Sequence, residues 1–286
     1  MAKRKSKPDP EDLPDASDLK KAQDDDDSGS DEDMDMVNVD FEWFDPQPAV
    51  DFHGLKTLLR QLLDVDSQLF DLSELTDLIL SQPTLGSTVK VDGNETDPYA
   101  FLTVLNLETH KDKKVIRDIT SYLTRKSTPT IPLPPAPAQI GLILTERFIN
   151  MPHETVPPMY TMLLEEVQWA IDASEPYNFT HYLVLSKCYS EIASALPSED
   201  APRSKKAKGN KGGEETFYFH PEDEVLQKHA LGWTSFEYDT PVDEGASDSK
   251  RAFHELGVKP KGHLVLIEAS KFEGAIEAVK GFLSGQ

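Results

Sequence analysis

Apolar and polar positions along the chain switch several times between the period of a strand and the period of a helix. Alternation over residues 37–43 predicts a half-buried strand. From Asp51 the apolar spacing becomes helical, and we expect Asp51 to be the N-cap of this first helix. A second, short helix is predicted around residues 75–79. The N-terminal part of the fold is therefore expected to open with a strand and two helices.

The middle of the chain predicts a hairpin and a covered strand. Residues 88–91 are strand-like and lead into Asp92-Gly93, a pair that is typical of a tight hairpin turn. Residues 99–107 are almost continuously apolar, as in a central strand that is covered on both faces. Helical spacing over residues 115–123 predicts the next helix. These elements favour a sheet with helices packed on it.

The second half of the chain repeats this alternation. Residues 139–144 predict a buried strand, and Pro157-Pro158 can begin a long helix whose buried face is expected to include Trp169. The remaining predicted elements are a strand over 179–185, a strand over 216–219, a helix over 222–228, a strand over 235–238, a strand over 264–267 and a helix over 272–283. The irregular order of strands and helices predicts an α/β (α+β) fold with a mixed central sheet flanked by helices.

Three segments fall outside these periodic patterns. Residues 1–35 are rich in charge and poor in apolar side chains, so we expect a disordered acidic tail with a basic tip. Residues 36–286 are then a single α/β domain that carries an exposed basic loop at 197–213. The proline-rich segment from Pro129 to Pro137 is interpreted as a stiff connector within the domain, and a ligand for an adaptor domain is the alternative.

Charge narrows the classes of partner. The chain carries 29 Lys and Arg against 51 Asp and Glu, a formal net charge of -22. Such a field repels a nucleic-acid backbone and attracts basic proteins, although excess carboxylate can also simply keep a protein monomeric and in solution. The lone Cys188 indicates a reducing compartment, and no apolar stretch approaches the roughly 20 residues of a membrane helix. We expect a monomer that binds neither nucleic acid nor a membrane.

Searches for catalytic and metal-binding patterns find none. The chain has no nucleophile elbow, no phosphate-binding glycine loop and no paired histidines at zinc-helix spacing. Asp64 and Asp66 faintly resemble a calcium loop, but Leu69 and Leu75 occupy the positions that need glycine and glutamate. Cys188 is expected to be a buried structural residue. We therefore predict no enzyme, no catalytic, cofactor-binding or metal-binding residues, and no cofactor.

Candidate binding residues lie in the charged segments. Two basic clusters could be read by a nuclear import receptor, the N-terminal basic cluster (Lys3, Arg4, Lys5) and the loop basic cluster (Lys205, Lys206, Lys208). Ser28 and Ser30 each have an acidic residue three positions later, which favours phosphorylation by an acid-directed kinase of the casein kinase two type. The client-binding candidates are the carboxylates of the tail: Asp24, Asp25, Asp26, Asp27, Asp31, Glu32 and Asp33.

Several stretches of the chain resemble the BCP/BCCIP family of eukaryotic nuclear proteins. They are Val39–Pro46, Asp51–Lys56, Gly86–Lys90, Leu144–Asn150 and Asp248–Phe253. The resemblance implies a domain folded like GNAT acetyltransferases but without their acetyl-CoA site. The sequence agrees with that absence, because the segment expected to face the pyrophosphate, Glu146 to Pro158, contains no glycine.

The resemblance also implies a role. Members of the BCP/BCCIP family are associated with nuclear export, with chaperoning a large-subunit ribosomal protein and with export of a lipid kinase. In animals they are also associated with cell-cycle and DNA-repair partners. We therefore expect a nuclear escort that shuttles to the cytoplasm and binds a basic client, together with nuclear transport receptors. A diverged acyltransferase-fold enzyme and an adaptor for cell-cycle or DNA-repair regulators stay open as alternatives.

Overall fold

A computed structural model describes residues 39–82, 85–135, 137–191, 215–241 and 258–285. Within these residues the chain forms eight strands and six helices. The strands are β1 (Glu42–Phe44), β2 (Ser87–Lys90), β3 (Ala100–Asn106), β4 (Ile140–Arg147), β5 (His181–Glu191), β6 (Glu215–Tyr218), β7 (Gly232–Phe236) and β8 (Val258–Glu268). The helices are α1 (Pro48–Leu63), α2 (Leu72–Leu80), α3 (Lys114–Ser127), α4 (Val156–Asp172), α5 (Glu222–Lys228) and α6 (Ala269–Leu283).

All eight strands belong to one open sheet. Its order is β1-β2-β3-β4-β5-β8-β7, and β6 pairs with β5 outside this path. The pairing of β4 with β5 is parallel, and the other pairings between the described strands are antiparallel. The prediction of a mixed central sheet flanked by helices is therefore confirmed.

Helices cover both faces of this sheet. Adjacent residues on a strand point to opposite faces of the sheet. Leu183 therefore packs with α1, α2 and α3, while its neighbour Val184 packs with α4 and α6. The same alternation holds on β8, where Leu264 and Val265 enter different apolar clusters. Burial on both faces explains why these strands read as continuous apolar runs in the sequence.

Helix α1 begins earlier than predicted. Its first residue is Pro48, which has no amide hydrogen and a φ already suited to a helix, so the prediction of Asp51 as the N-cap is wrong. Asp51 lies in the first turn and is fully buried, where its Oδ1 is 2.6 Å from Nζ of the equally buried Lys90. The other Asp51 oxygen accepts a hydrogen bond from the Gln47 amide. This carboxylate therefore joins α1 to β2.

Other predicted elements are present with shifted ends. Asp92 and Gly93 do adopt the positive φ of a tight turn, but they lie in a nine-residue connection between β2 and β3. Of the strand predicted over 37–43, residues 37 and 38 lie outside the described residues, and β1 covers 42–44. Strand β7 covers 232–236 instead of 235–238. Trp169 does not face the core as predicted, because 62% of it is exposed on α4.

Candidate functional site

The parallel strands β4 and β5 separate at their carboxyl ends. Their pairing runs from Ile140 opposite His181 to Leu144 opposite Leu185 and goes no further. Beyond that point β6 takes the place beside β5, from Cys188 onwards. In open sheets ligands bind at the carboxyl ends of parallel strands, so the crevice between the ends of β4 and β5 is the place to look for chemistry.

Glu146 of β4 is the centre of a buried charge cluster in this crevice. Its Oε2 is 2.7 Å from Nζ of Lys187 on β5, and its Oε1 is 3.2 Å from Nε2 of His220, which precedes α5. Lys187 Nζ also donates a hydrogen bond to the Gln61 carbonyl of α1, at 3.2 Å. The cluster therefore connects β4, β5, α1 and the start of α5.

A second ion pair ties α5 to β4. The Arg147 guanidinium donates two hydrogen bonds to the Glu222 carboxylate, at 2.5 and 3.0 Å, and both side chains are buried. Bidentate pairing of this kind fixes the relative orientation of the two groups. The Arg147 carbonyl in turn accepts a hydrogen bond from Nε2 of the Gln61 side chain, at 2.9 Å.

Ser186, His220 and Asp223 complete the network. The Ser186 hydroxyl donates to Asp223 Oδ2 at 2.6 Å, and its oxygen lies 3.1 Å from His220 Nδ1. All three residues are buried. Three groups that can carry positive charge, Lys187, Arg147 and His220, thus face three carboxylates, Glu146, Glu222 and Asp223.

Burial and ion pairing shift the pKa values of Glu146 and His220 in opposite directions. Burial alone would raise the pKa of Glu146, but His220 and Lys187 outweigh it and hold the pKa at about 2. Burial likewise works against the His220 cation, yet Glu146 raises the pKa of that histidine above its ordinary value. Burial raises the pKa of Asp223 to about 7, although the neighbouring His220 opposes the shift. The cluster therefore holds an ionised Glu146, and contact with this carboxylate favours the cationic form of His220.

Ser186, His220 and Glu146 form a chain of contacts in the order of a nucleophile, a base and an orienting acid. Ser186 is buried, and its hydroxyl already donates to Asp223. The hydroxyl hydrogen of Ser186 is therefore directed at Asp223 and not at His220.

A cavity of about 740 Å³ opens beside the cluster. Its lining includes Glu146, Arg147, Lys187, His220 and the exposed Ile149. The next helix, α4, does not line this cavity, and Pro157 and Pro158 remove two amide donors from its first turn. The first turn of α4 is therefore poorly suited to bind an anion such as the pyrophosphate of an acyl-CoA.

The binding residues predicted from the sequence lie outside the described residues. This holds for both basic clusters, for Ser28 and Ser30, and for the acidic candidates from Asp24 to Asp33. The described part of the chain has no cluster of three His, Cys, Asp or Glu that could hold a metal ion, and no helix there could cross a membrane. Asp66 accepts hydrogen bonds from the Tyr122 hydroxyl and from the Asp239 and Thr240 amides. Cys188 is buried in β5.

Sequence reasoning missed the charge cluster, although a signal for it existed. Glu146 and Arg147 follow the apolar run of β4, and Ser186 and Lys187 follow the apolar run of β5. Charged residues at the same end of two buried strands indicate a polar crevice once the strands are known to be parallel neighbours. That pairing is a long-range property, and periodicity within one strand does not reveal it.

Comparisons with known proteins give a consistent family. The family model described as BCCIP matches residues 36–226. The chain is 61% identical over 269 residues to "Protein bcp1" of Aspergillus fumigatus, covering 90% of this chain and 91% of the relative. It is 48% identical over 255 residues to "Protein bcp1" of Schizosaccharomyces pombe, covering 85% of this chain and 89% of the relative.

A solved structure is also similar. The "Crystal structure of BCP1 from Saccharomyces Cerevisiae" matches with a TM-score of 0.55 and 26% sequence identity, over 90% of this chain and 94% of that one. The sequence identities, the family model and the shared fold agree over most of the chain. The chain belongs to the BCCIP family.

Proposed function

We propose that this protein is a non-enzymatic nuclear escort that binds a basic client, a large-subunit ribosomal protein. In this role it keeps the client from aggregating and from binding RNA prematurely, and so supports ribosome biogenesis. It moves between nucleus and cytoplasm with the help of nuclear transport receptors, and it also supports the export of other proteins, a lipid kinase among them.

One observation carries the non-enzymatic part of the proposal. The crevice at the ends of β4 and β5, where a ligand would be expected, contains charged groups that are already paired with one another. Its serine is buried and already donates its hydroxyl hydrogen to Asp223. Groups paired in this way hold β4, β5 and α5 in one arrangement, and we assign the binding activity to the outer surface.

The excess of carboxylates supports a basic client. Exposed ion pairs each contribute only about 0.2 to 1 kcal/mol, so a strongly acidic protein gains affinity by making many of them and stays reversible. With 51 acidic against 29 basic side chains, this chain is suited to shield a cationic surface that would otherwise bind RNA.

Binding to a purified basic large-subunit ribosomal protein tests the proposal. We expect a saturable one-to-one complex whose affinity falls steeply as salt is raised, because salt screens exposed charge pairs. An RNA of similar size serves as the competitor. Preference for the RNA over the ribosomal protein would contradict the proposal.

The alternative hypothesis is that this protein is an enzyme, a diverged acyltransferase. Calorimetry with acetyl-CoA is the direct measurement, and we expect no saturable heat, because α4 lacks two of its first amide donors. Binding of acetyl-CoA at the crevice would restore the enzyme reading. The R147M variant, which alters the lining of the crevice, would locate any such heat.

The hypothesis that the proline-rich segment binds an adaptor domain receives less support from the structure. In the segment from Pro129 to Pro137, Ile131 is buried and Leu133 packs against the core formed with α1, α2 and α3. A peptide ligand for an adaptor domain must be free to leave the surface. The packing favours a connector within the fold.

A further inference from the structure

A shallow groove runs between α4 and α6, on the face of the molecule away from α1, α2 and α3. It encloses about 470 Å³ and is lined by apolar atoms of Pro158, Met162 and Leu283. Glu165 and Lys280 stand at its edges. The α4–α6 groove is thus an apolar floor between polar margins.

Trp169 extends the apolar surface along α4. It lies four residues after Glu165, and residues at this spacing are neighbours on a helix surface. The side chain is 62% exposed, an unusual position for the largest apolar side chain on a helix. Tryptophan is enriched among the few residues that contribute most of the binding energy of a protein interface.

The margins of the groove are mainly acidic. On α6, Glu273 and Glu277 fall on the same stripe as Lys280, and on α4 Glu165 falls on the stripe of Met162 and Trp169. Glu165, Glu273 and Glu277 are exposed. No cation within the described residues lies in ion-pair distance of any of these three carboxylates. Among the described residues, the margins thus hold three carboxylates that form no ion pair, beside the one lysine, Lys280.

We propose that the α4–α6 groove is the docking site for a short basic segment of the client that also carries an apolar anchor. This rests on the proposed function, and it adds where the client binds and which chemistry is recognised. Unpaired carboxylates favour lysine or arginine on the segment, and Trp169 with the floor at Met162 favours an apolar side chain between them. Anionic lipid and nucleic acid are both repelled by the same margins.

Two labelled probes separate this site from a diffuse acidic field. One is a helical peptide of lysine and leucine at helix spacing, and the other is polylysine of equal charge. A field without a groove binds both alike, because it responds only to charge. The groove predicts that the lysine and leucine peptide binds at least about tenfold more tightly, because it alone has apolar anchors.

Surface variants with matched controls locate the site. We expect W169A to remove the preference for the lysine and leucine peptide, and I149A, which removes an exposed apolar side chain outside the groove, to keep it. We expect E165K/E277K to weaken binding of that peptide at least about tenfold. The control E95K/D112K changes the net charge by the same amount at exposed sites outside the groove and should weaken binding about twofold at most. Thermal unfolding checks that each variant is folded.

The outcomes distinguish the groove from the wider proposal. Suppose that the wild-type protein binds the ribosomal protein, and that W169A and E165K/E277K bind both this client and the peptide as well as their control variants do. The groove is then not the docking site, and the escort function stands. If I149A loses the preference and W169A keeps it, docking occurs at the β4–β5 crevice and the groove is again wrong. If the wild-type protein binds neither probe nor the ribosomal protein, both proposals fail.

Discussion

Removing Arg147 should reveal how much the buried charges of the crevice contribute to stability. In R147M the Glu222 carboxylate keeps its buried place and loses both hydrogen bonds of the bidentate pair, at 2.5 and 3.0 Å. Breaking a buried ion pair by deleting one partner costs about 3 to 5 kcal/mol, because the remaining charge is left without compensation. A domain is typically stable by only about 5 to 15 kcal/mol, so the loss is a large share of the total.

The double variant R147M/E222L separates the penalty of an unpaired charge from the value of the pair itself. Replacing both members of a buried pair by apolar groups is often neutral, so we expect the double variant to recover more than half of the loss in R147M. Urea unfolding at neutral pH gives the free energy of unfolding of each protein from its midpoint and slope.

The control for R147M is K114M, which removes an exposed lysine paired with Asp118 at 2.6 Å on the surface of α3. We expect K114M to unfold close to the wild-type midpoint, because exposed pairs are screened by water and salt. The account of the crevice as a structural charge cluster would be wrong if R147M unfolded at the same urea concentration as K114M. It would also be wrong if R147M/E222L were no more stable than R147M.

Three further predictions concern pH, import and phosphorylation. Burial raises the pKa of Asp223 from 3.8 to about 7, so the folded protein holds a proton there that the unfolded chain releases, and stability should fall as pH rises across that interval. D223N should flatten this part of the pH dependence of urea midpoints, and an unchanged profile would exclude the mechanism. Alanines at both basic clusters should leave a tagged protein in the cytoplasm, and an unaltered nuclear signal would exclude them as import sequences. Phosphorylation at Ser28 and Ser30 should add about -1.5 to -2 charges each and tighten binding to the ribosomal protein; mass spectrometry that found both serines unmodified in cells would argue against it.

The sequence predicted the elements of this fold better than their connections. Long periodic segments such as α3, α4 and α6 were recognisable because each buries one continuous stripe against the sheet. Element ends depended on local chemistry that competes with periodicity. Pro48 begins α1 three residues before Asp51, since a proline is well suited to the first helical position and Asp51 is needed in the core beside Lys90.

The crevice shows what a single sequence withholds. Glu146 and Lys187 are far apart along the chain and become partners only because β4 and β5 are adjacent and parallel. His220 joins them from a third segment. Trp169 was misassigned for a related reason: its spacing on α4 fits the apolar face, and only the packing of α4 against the sheet and α6 shows that it is left outside.

The escort function is tested most directly by asking whether this protein keeps a basic ribosomal protein in solution and away from RNA. Light scattering and RNA binding of the purified ribosomal protein would be followed with and without an equimolar amount of this protein, at an ionic strength close to that of the cell. We predict that scattering is suppressed and that RNA binding is delayed until RNA is in excess. Aggregation at the same rate in both samples, or RNA binding that is unaffected, would contradict the account.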